Sequence, residues 1–306
     1  MDIPLYPTYR NPPPHNICNS YLTTAIDREI RFAITYPEIK KSKGTVVILE
    51  SYANILEEYF LSMNELSKRG FHTAIFDWFG REKLSFNKKK QHRHRYFNIN
   101  NDINDLDEFL KKIVYSDCPP PYYILAYEMG GLIALSGLDL LNYRFNKMLC
   151  VSPLFAPLGN KINGFQHKLT QFLSDIGLGF LPAKGEKKLK QIKQKNMQLL
   201  APPHKEAFSL IRPPTSQWMA SALNAIASMK QSILHGNLKI PTLCILASQN
   251  NIVNNIEVRQ LCQHTRLLDS ITITGAKLDT IMYKDDYKKQ FWAIFDAFIS
   301  SDISMS

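Results

Sequence analysis

The sequence predicts an α/β protein, a mostly parallel sheet flanked by helices and interrupted once by a helical insertion. Short apolar runs alternate with segments of helical period between residues 45 and 151. The alternation stops after Pro153 and resumes at Thr242. With 306 residues, 45% of them hydrophobic, the chain is long and apolar enough to cover such a sheet on both faces as one domain, 1–306.

Each element has its own signal. Tyr21–Tyr36 (YLTTAIDREIRFAITY) alternates and breaks at Asp27-Arg28, which predicts a β-hairpin. Thr45–Leu49 (TVVIL) is a short apolar strand. Asn54–Arg69 has apolar residues at helical spacing and stops at Gly70. His72–Phe76 (HTAIF) is the next strand. Asp102–Val114 is a helix with Ile103, Leu106, Phe109, Leu110 and Ile113 on one face. After the turn Pro119-Pro120-Pro121 come strand Tyr122–Ala126, helix Gly131–Leu141 and strand Lys147–Val151. Residues 157–238 carry helical patterns without a strand signal. Strand Thr242–Ala247, a helix near Glu257–His264, strand Ser270–Thr274 and a last helix Asp286–Ile299 complete the order.

Composition narrows the function classes. Cys18, Cys118, Cys150, Cys244 and Cys262 are scattered, odd in number and without CxxC spacing, so no disulfide framework is expected. The first residues lack an apolar core of a secretory signal, and no run of about 18 apolar residues exists. The expected location is cytoplasmic, with peripheral contact at the inner membrane surface as a further expectation. That contact comes from the charge of +10 and its distribution. Lys184, Lys187, Lys188, Lys190, Lys193 and Lys195 crowd one segment, with Leu189, Ile192 and Leu199 between and after them. Such a helix lies on an anionic bilayer or simply forms a solvated face. KKKQHRHR, residues 88–95, is a second basic cluster. No nucleic-acid-binding module accompanies the charge, so nucleic acid is not an expected partner, and no protein partner can be read from the sequence. His92 and His94 lack an accompanying Cys or carboxylate pattern, and neither a metal nor a cofactor is expected.

Five segments carry a family resemblance: Thr45–Tyr59 (TVVILESYANILEEY), Phe76–Gly80 (FDWFG), Cys118–Gly131 (CPPPYYILAYEMGG), Ala201–Ala222 and Gly275–Phe298. They resemble the bacterial lysophospholipase and monoacylglycerol-lipase branch of the α/β-hydrolases, a serine aminopeptidase S33-like family. The resemblance implies an α/β-hydrolase fold, a helical lid formed by 157–238, and an apolar pocket for a lipid-like small molecule beneath it.

It also implies where a catalytic triad would stand, and those places are altered. The nucleophile elbow reads Ala126-Tyr127-Glu128-Met129-Gly130-Gly131, with Glu128 in the place of serine. The acid place, in Ser248-Gln249-Asn250-Asn251-Ile252-Val253, holds Asn250. The histidine place, in Gly275-Ala276-Lys277-Leu278-Asp279, holds Leu278. The oxyanion-equivalent positions are Ser51, at a family glycine, and Met129, which follows the elbow residue. Asparagine can hold an imidazole but not stabilise its charge, and leucine offers no base. A carboxylate nucleophile at Glu128 would still need a histidine to activate water.

Two functions follow. The first is a catalytically degenerate, lysophospholipase-like pseudoenzyme that binds a lipid or a partner. The alternative is an active carboxylic-ester hydrolase acting on lysolipids. Under either, a carboxyl group at the elbow is expected to be raised by burial, unless a cation such as Lys277 pairs with it.

Overall fold

The computed structural model describes residue 5 and residues 11–51, 54–79, 98–155, 216–250, 254–277 and 281–300. An eight-stranded sheet, in the order β1-β2-β4-β3-β5-β6-β7-β8, organises them. The strands are β1 (Ile17–Thr23), β2 (Glu29–Thr35), β3 (Thr45–Leu49), β4 (His72–Phe76), β5 (Tyr122–Tyr127), β6 (Phe145–Val151), β7 (Thr242–Ala247) and β8 (Leu268–Ile273). The hairpin forms as predicted: β1 and β2 are antiparallel, and β2 joins β4 antiparallel. All other pairings are parallel.

The helices are α1 (Phe60–Lys68), α2 (Ile99–Phe109), α3 (Met129–Ser136), α4 (Leu138–Leu141), α5 (Ser216–Leu234), α6 (Asn255–Cys262) and α7 (Asp285–Ser300). A 3-10 turn, Leu56–Tyr59, enters α1, so the predicted helix from Asn54 begins as a tighter coil. Asn98 caps α2 by accepting the Asn100 N–H, which starts that helix three residues before the predicted Asp102. Leu110–Val114 continues it as a π-helical turn. The helix predicted over Gly131–Leu141 breaks at Gly137 into α3 and α4.

Strand side chains alternate between two apolar layers. Val47, Leu49, Ile124, Ala126, Met148 and Cys150 point to the side covered by α2, α3 and α5. Val46, Ile48, Tyr123, Leu125, Leu149 and Val151 point to the side covered by α1 and α7. Both faces are buried, which is why the strands read as apolar runs in the sequence. The structure places part of the predicted insertion, residues 216–234, as α5, whose Trp218, Met219 and Ala222 pack in the first layer. Residues 157–215 lie outside the described residues. Among the described residues no helix is long and apolar enough to cross a membrane.

Candidate functional site

Parallel strands turn their carboxyl ends to one edge, and Glu128 and Asn250, which follow β5 and β7, stand there. Glu128 links β5 to α3 with φ 43° and ψ −101°. This left-handed backbone is costly for a residue with a side chain, on the order of 1–3 kcal/mol, and persists only where the surroundings impose it. They do so here through three hydrogen bonds. The Glu128 N–H donates to the Val151 carbonyl at 3.0 Å. Its own carbonyl accepts from Leu132 at 3.3 Å and from Leu154 at 2.9 Å. Gly130 and Gly131 allow the tight approach. A Cβ on Gly130 would lie 2.8 Å from the Glu50 carbonyl oxygen, and one on Gly131 would lie 2.8 Å from Pro153 Cβ. The turn from β5 into α3 is thus a tight elbow with Glu128 at its apex.

The pairing Leu49↔Ala126 in the β3–β5 ladder carries forward to set Ser51 beside Glu128. Ser51 is 7% exposed. Its amide N–H donates to Tyr59 Oη at 2.9 Å, and Asn54 Nδ2 donates to the same oxygen at 3.3 Å. The Tyr59 ring in turn packs on Tyr127, with centroids 5.0 Å apart. The Ser51 amide expected at the oxyanion position is therefore held within its own loop. Met129, buried, is the first residue of α3, where an N–H has no acceptor inside the helix.

Removal from water pushes the partly exposed Glu128 carboxyl up to about 7, against the opposing pull of Ser51. This is the direction expected for burial where no cation among the described residues offsets it.

Asn250 stands in the turn after β7, its N–H on the Ala247 carbonyl at 3.2 Å. That turn is tied to the one after β8: Gln249 N–H donates to the Ala276 carbonyl at 2.9 Å, and Gly275 N–H to Ser248 Oγ at 2.8 Å. The structure therefore brings Ser51, Glu128, Met129 and Asn250 to one edge of the sheet. Leu278, Lys184, Lys187, Lys188, Lys190, Lys193, Lys195 and residues 88–95 lie outside the described residues. The described histidines are elsewhere. His72 opens β4, and His15, His235 and His264 precede β1, β7 and β8, at the amino edge.

A second polar group lies beneath the loop of Ser51. Arg31 on β2 donates to Asp77 Oδ2 at 2.6 Å and to both Glu57 oxygens at 2.6 and 2.8 Å. Asp77 also accepts the Leu56 N–H at 2.8 Å, which seats the 3-10 turn. Burial opposes the Arg31 charge, yet its two carboxylate neighbours outweigh that and raise its pKa. Glu50 is 1% exposed, and its Oε1 has no hydrogen-bond partner among the described residues. Burial first, then the Asp77 charge, hold its carboxyl well above the usual range, with Arg31 opposing. A lone arginine in the alternating strand EIRFAIT was the available signal for this network. The placing of Ser51 near Glu128 had none, because it depends on strand register. No cluster of three or more His, Cys, Asp or Glu side chains suited to a metal occurs among the described residues.

Comparison with known proteins agrees with this fold. Solved structures with the same fold include a soluble variant of monoglyceride lipase from Saccharomyces cerevisiae in complex with a substrate analog. It has 12% identity and a TM-score of 0.71, over 92% of this chain and 94% of that one. A thermostable carboxyl esterase from Bacillus coagulans in complex with glycerol has 14% identity and a TM-score of 0.71, over 94% and 99%. The monoacylglycerol lipase of Paleococcus ferrophilus has 15% identity and a TM-score of 0.64, over 93% and 98%. A comparison with curated proteins finds no match. The family model described as serine aminopeptidase, S33, matches residues 40–273, which spans β3 to β8. The chain belongs to this serine aminopeptidase S33 family, and its fold is that of the α/β-hydrolases.

Proposed function

We propose that this chain is a lipase- or esterase-type α/β-hydrolase that has lost the Ser–His–Asp route and keeps the site at the sheet's carboxyl edge for a lipid-like ligand bearing an acyl ester. The observation that carries this reading is Glu128 in the elbow geometry, between β5 and α3, where a triad enzyme holds its serine. Asn250 offers no charge to an imidazole, and the sequence offers Leu278 rather than an imidazole. The ligand class follows from the relatives of the same fold, a monoglyceride lipase with a substrate analog and a carboxyl esterase with glycerol. The lid, 157–238, and its lysines would bring the site to an anionic membrane surface, where such a ligand resides.

Native mass spectrometry of the purified chain with a panel of monoacylglycerols and lysophospholipids tests the reading. The expected result is one intact ligand per chain for at least one class. Absence of binding across the panel contradicts it.

A further inference from the structure

The loop that carries Ser51 is seated on a row of charged side chains across three strand ends. The β3–β4 ladder pairs Ile48 with Ile75, and two residues further on it sets Glu50 beside Asp77. The β2–β4 ladder pairs Phe32 with Phe76, and one step beyond it the Asp77 N–H donates to the Arg31 carbonyl at 2.8 Å. Arg31, Asp77 and Glu50 each stand two residues along the chain from Ala33, Ile75 and Ile48, which belong to the layer under α1, so all three turn to that side. We propose that Glu50 is a proton-operated latch for this loop. Protonated, it lets the loop lie buried beside the elbow; ionised, it drives the loop out.

The placement of charge carries the argument from geometry to titration. All three guanidinium nitrogens of Arg31 bond to other carboxylates, Nε to Asp77 at 2.6 Å and the two Nη atoms to Glu57 at 2.6 and 2.8 Å. Glu50 is buried, and its Oε1 has no hydrogen-bond partner among the described residues. An ionised carboxylate in that place lacks both water and a cation of its own, and burying such a charge is costly. The groups that face Glu50 are Arg31 from β2, Asp77 from the end of β4, and Glu57, Glu58 and Tyr59 from the 3-10 turn. From α3, Gly130 meets its carbonyl. Burial, then the Asp77 charge, hold the Glu50 carboxyl well above the usual range, with Arg31 opposing.

The loop is tied on both sides of this group. The Glu50 carbonyl accepts the indole N–H of buried Trp78 at 3.2 Å, and a Cβ on Gly130 of the elbow helix would come within 2.8 Å of it. The next amide, that of Ser51, donates to Tyr59 Oη at 2.9 Å. A loop that moves out to hydrate an ionised Glu50 breaks both hydrogen bonds and withdraws from the elbow. The sign follows from the raised value. The seated loop is whole below the ordinary carboxyl range and is lost as the pH rises through the raised value. The latch thereby links the carboxyl edge to pH, whichever ligand binds there.

The test uses the full chain labelled with 5-fluorotryptophan, whose three tryptophans give separate fluorine resonances. Trp78→Phe assigns the signal of Trp78. Spectra run from about pH 5 to about pH 10, above the ordinary carboxyl range and below that of lysine, at pH values where far-ultraviolet circular dichroism shows the fold intact. A one-proton inflection of the Trp78 resonance is expected, with loss of hydrogen-exchange protection at the Ser51 amide over the same interval. Glu50→Gln keeps the shape of the neutral carboxyl. It should be at least as stable as the parent, hold the Trp78 resonance still and keep the Ser51 amide protected throughout. Glu128→Gln, which removes the other raised carboxyl of this edge, should leave the inflection in place. A Trp78 resonance indifferent to pH overturns the proposal, as does an inflection that survives Glu50→Gln or vanishes in Glu128→Gln. A Glu50→Gln chain less stable than the parent, or unable to fold, also overturns it, because a neutral amide should be accepted where a neutral carboxyl is.

Discussion

Gly130 packs directly on the end of β3: a Cβ there would lie 2.7 Å from the carbonyl carbon of Leu49. That contact couples the elbow to the loop carrying Ser51, since backbone atoms on both sides leave nothing flexible to move aside. Gly130→Ala should therefore destabilise the fold by about 2–3 kcal/mol, a typical cost of overpacking a filled interior. Chemical denaturation read by the midpoint checks it, and Gly236→Ala is the contrast, because nothing lies within 4 Å of a Cβ at that position, leaving only its positive φ as a cost.

The Glu128 carboxyl gives stability a pH dependence. Its native value, about 7, exceeds the ordinary 4.5, so the folded state binds the proton more tightly than the unfolded one. The sign is then fixed: this group leaves stability whole below pH 4.5 and lowers it as the pH rises through 7. Glu128→Gln mimics the protonated form. It should match the parent near pH 4 and exceed it by about 2–3 kcal/mol above pH 7, given partial exposure. Denaturation curves collected across that range check it.

Arg31 is the single cation between Asp77 and Glu57 in the described part of this network, with contacts of 2.6 Å to each. Arg31→Met leaves two buried carboxylates without it and should cost about 3–5 kcal/mol. Arg31→Lys should recover only part of that loss, because an ammonium cannot reproduce the paired bonds to both Glu57 oxygens. The urea midpoints of the two variants give the comparison.

Much of the fold was legible because its central strands are buried on both faces. β3, β4 and β7 have the predicted bounds, and β5 extends one residue further, to Tyr127. Boundaries failed where a local device decided them. The Asn98 side chain starts α2 early, and Gly137 divides the helix behind the elbow. Glu128 and Asn250 reach the same edge, as their places after β5 and β7 imply. The contacts there were not legible: the Ser51 amide turns to the hydroxyl of Tyr59, a residue eight positions away. The network around Arg31 likewise joins β2, β4 and the turn before α1, elements that sequence order does not place together.

The lysine-rich part of the insertion yields a prediction from sequence alone. Lys184, Lys187, Lys188, Lys190, Lys193 and Lys195 should draw the chain to vesicles containing phosphatidylserine. Cosedimentation should fall as salt rises, because the Debye length shrinks to about 8 Å at physiological ionic strength and further beyond it. Replacing the six lysines with glutamine should remove the preference for anionic over neutral vesicles. Equal binding of the parent chain to both compositions would count against membrane contact.

The loss of the Ser–His–Asp route is tested most directly by steady-state release of fatty acid from a monoacylglycerol, measured for the parent chain, Glu128→Ala and Glu128→Ser. The account predicts that the parent turns over on the order of 10⁴-fold more slowly than a triad enzyme, and that Glu128→Ser does not restore the rate, because Leu278 and Asn250 supply neither base nor charge. Turnover by Glu128→Ser far above the Glu128→Ala control would reveal a working base at the elbow and contradict the account.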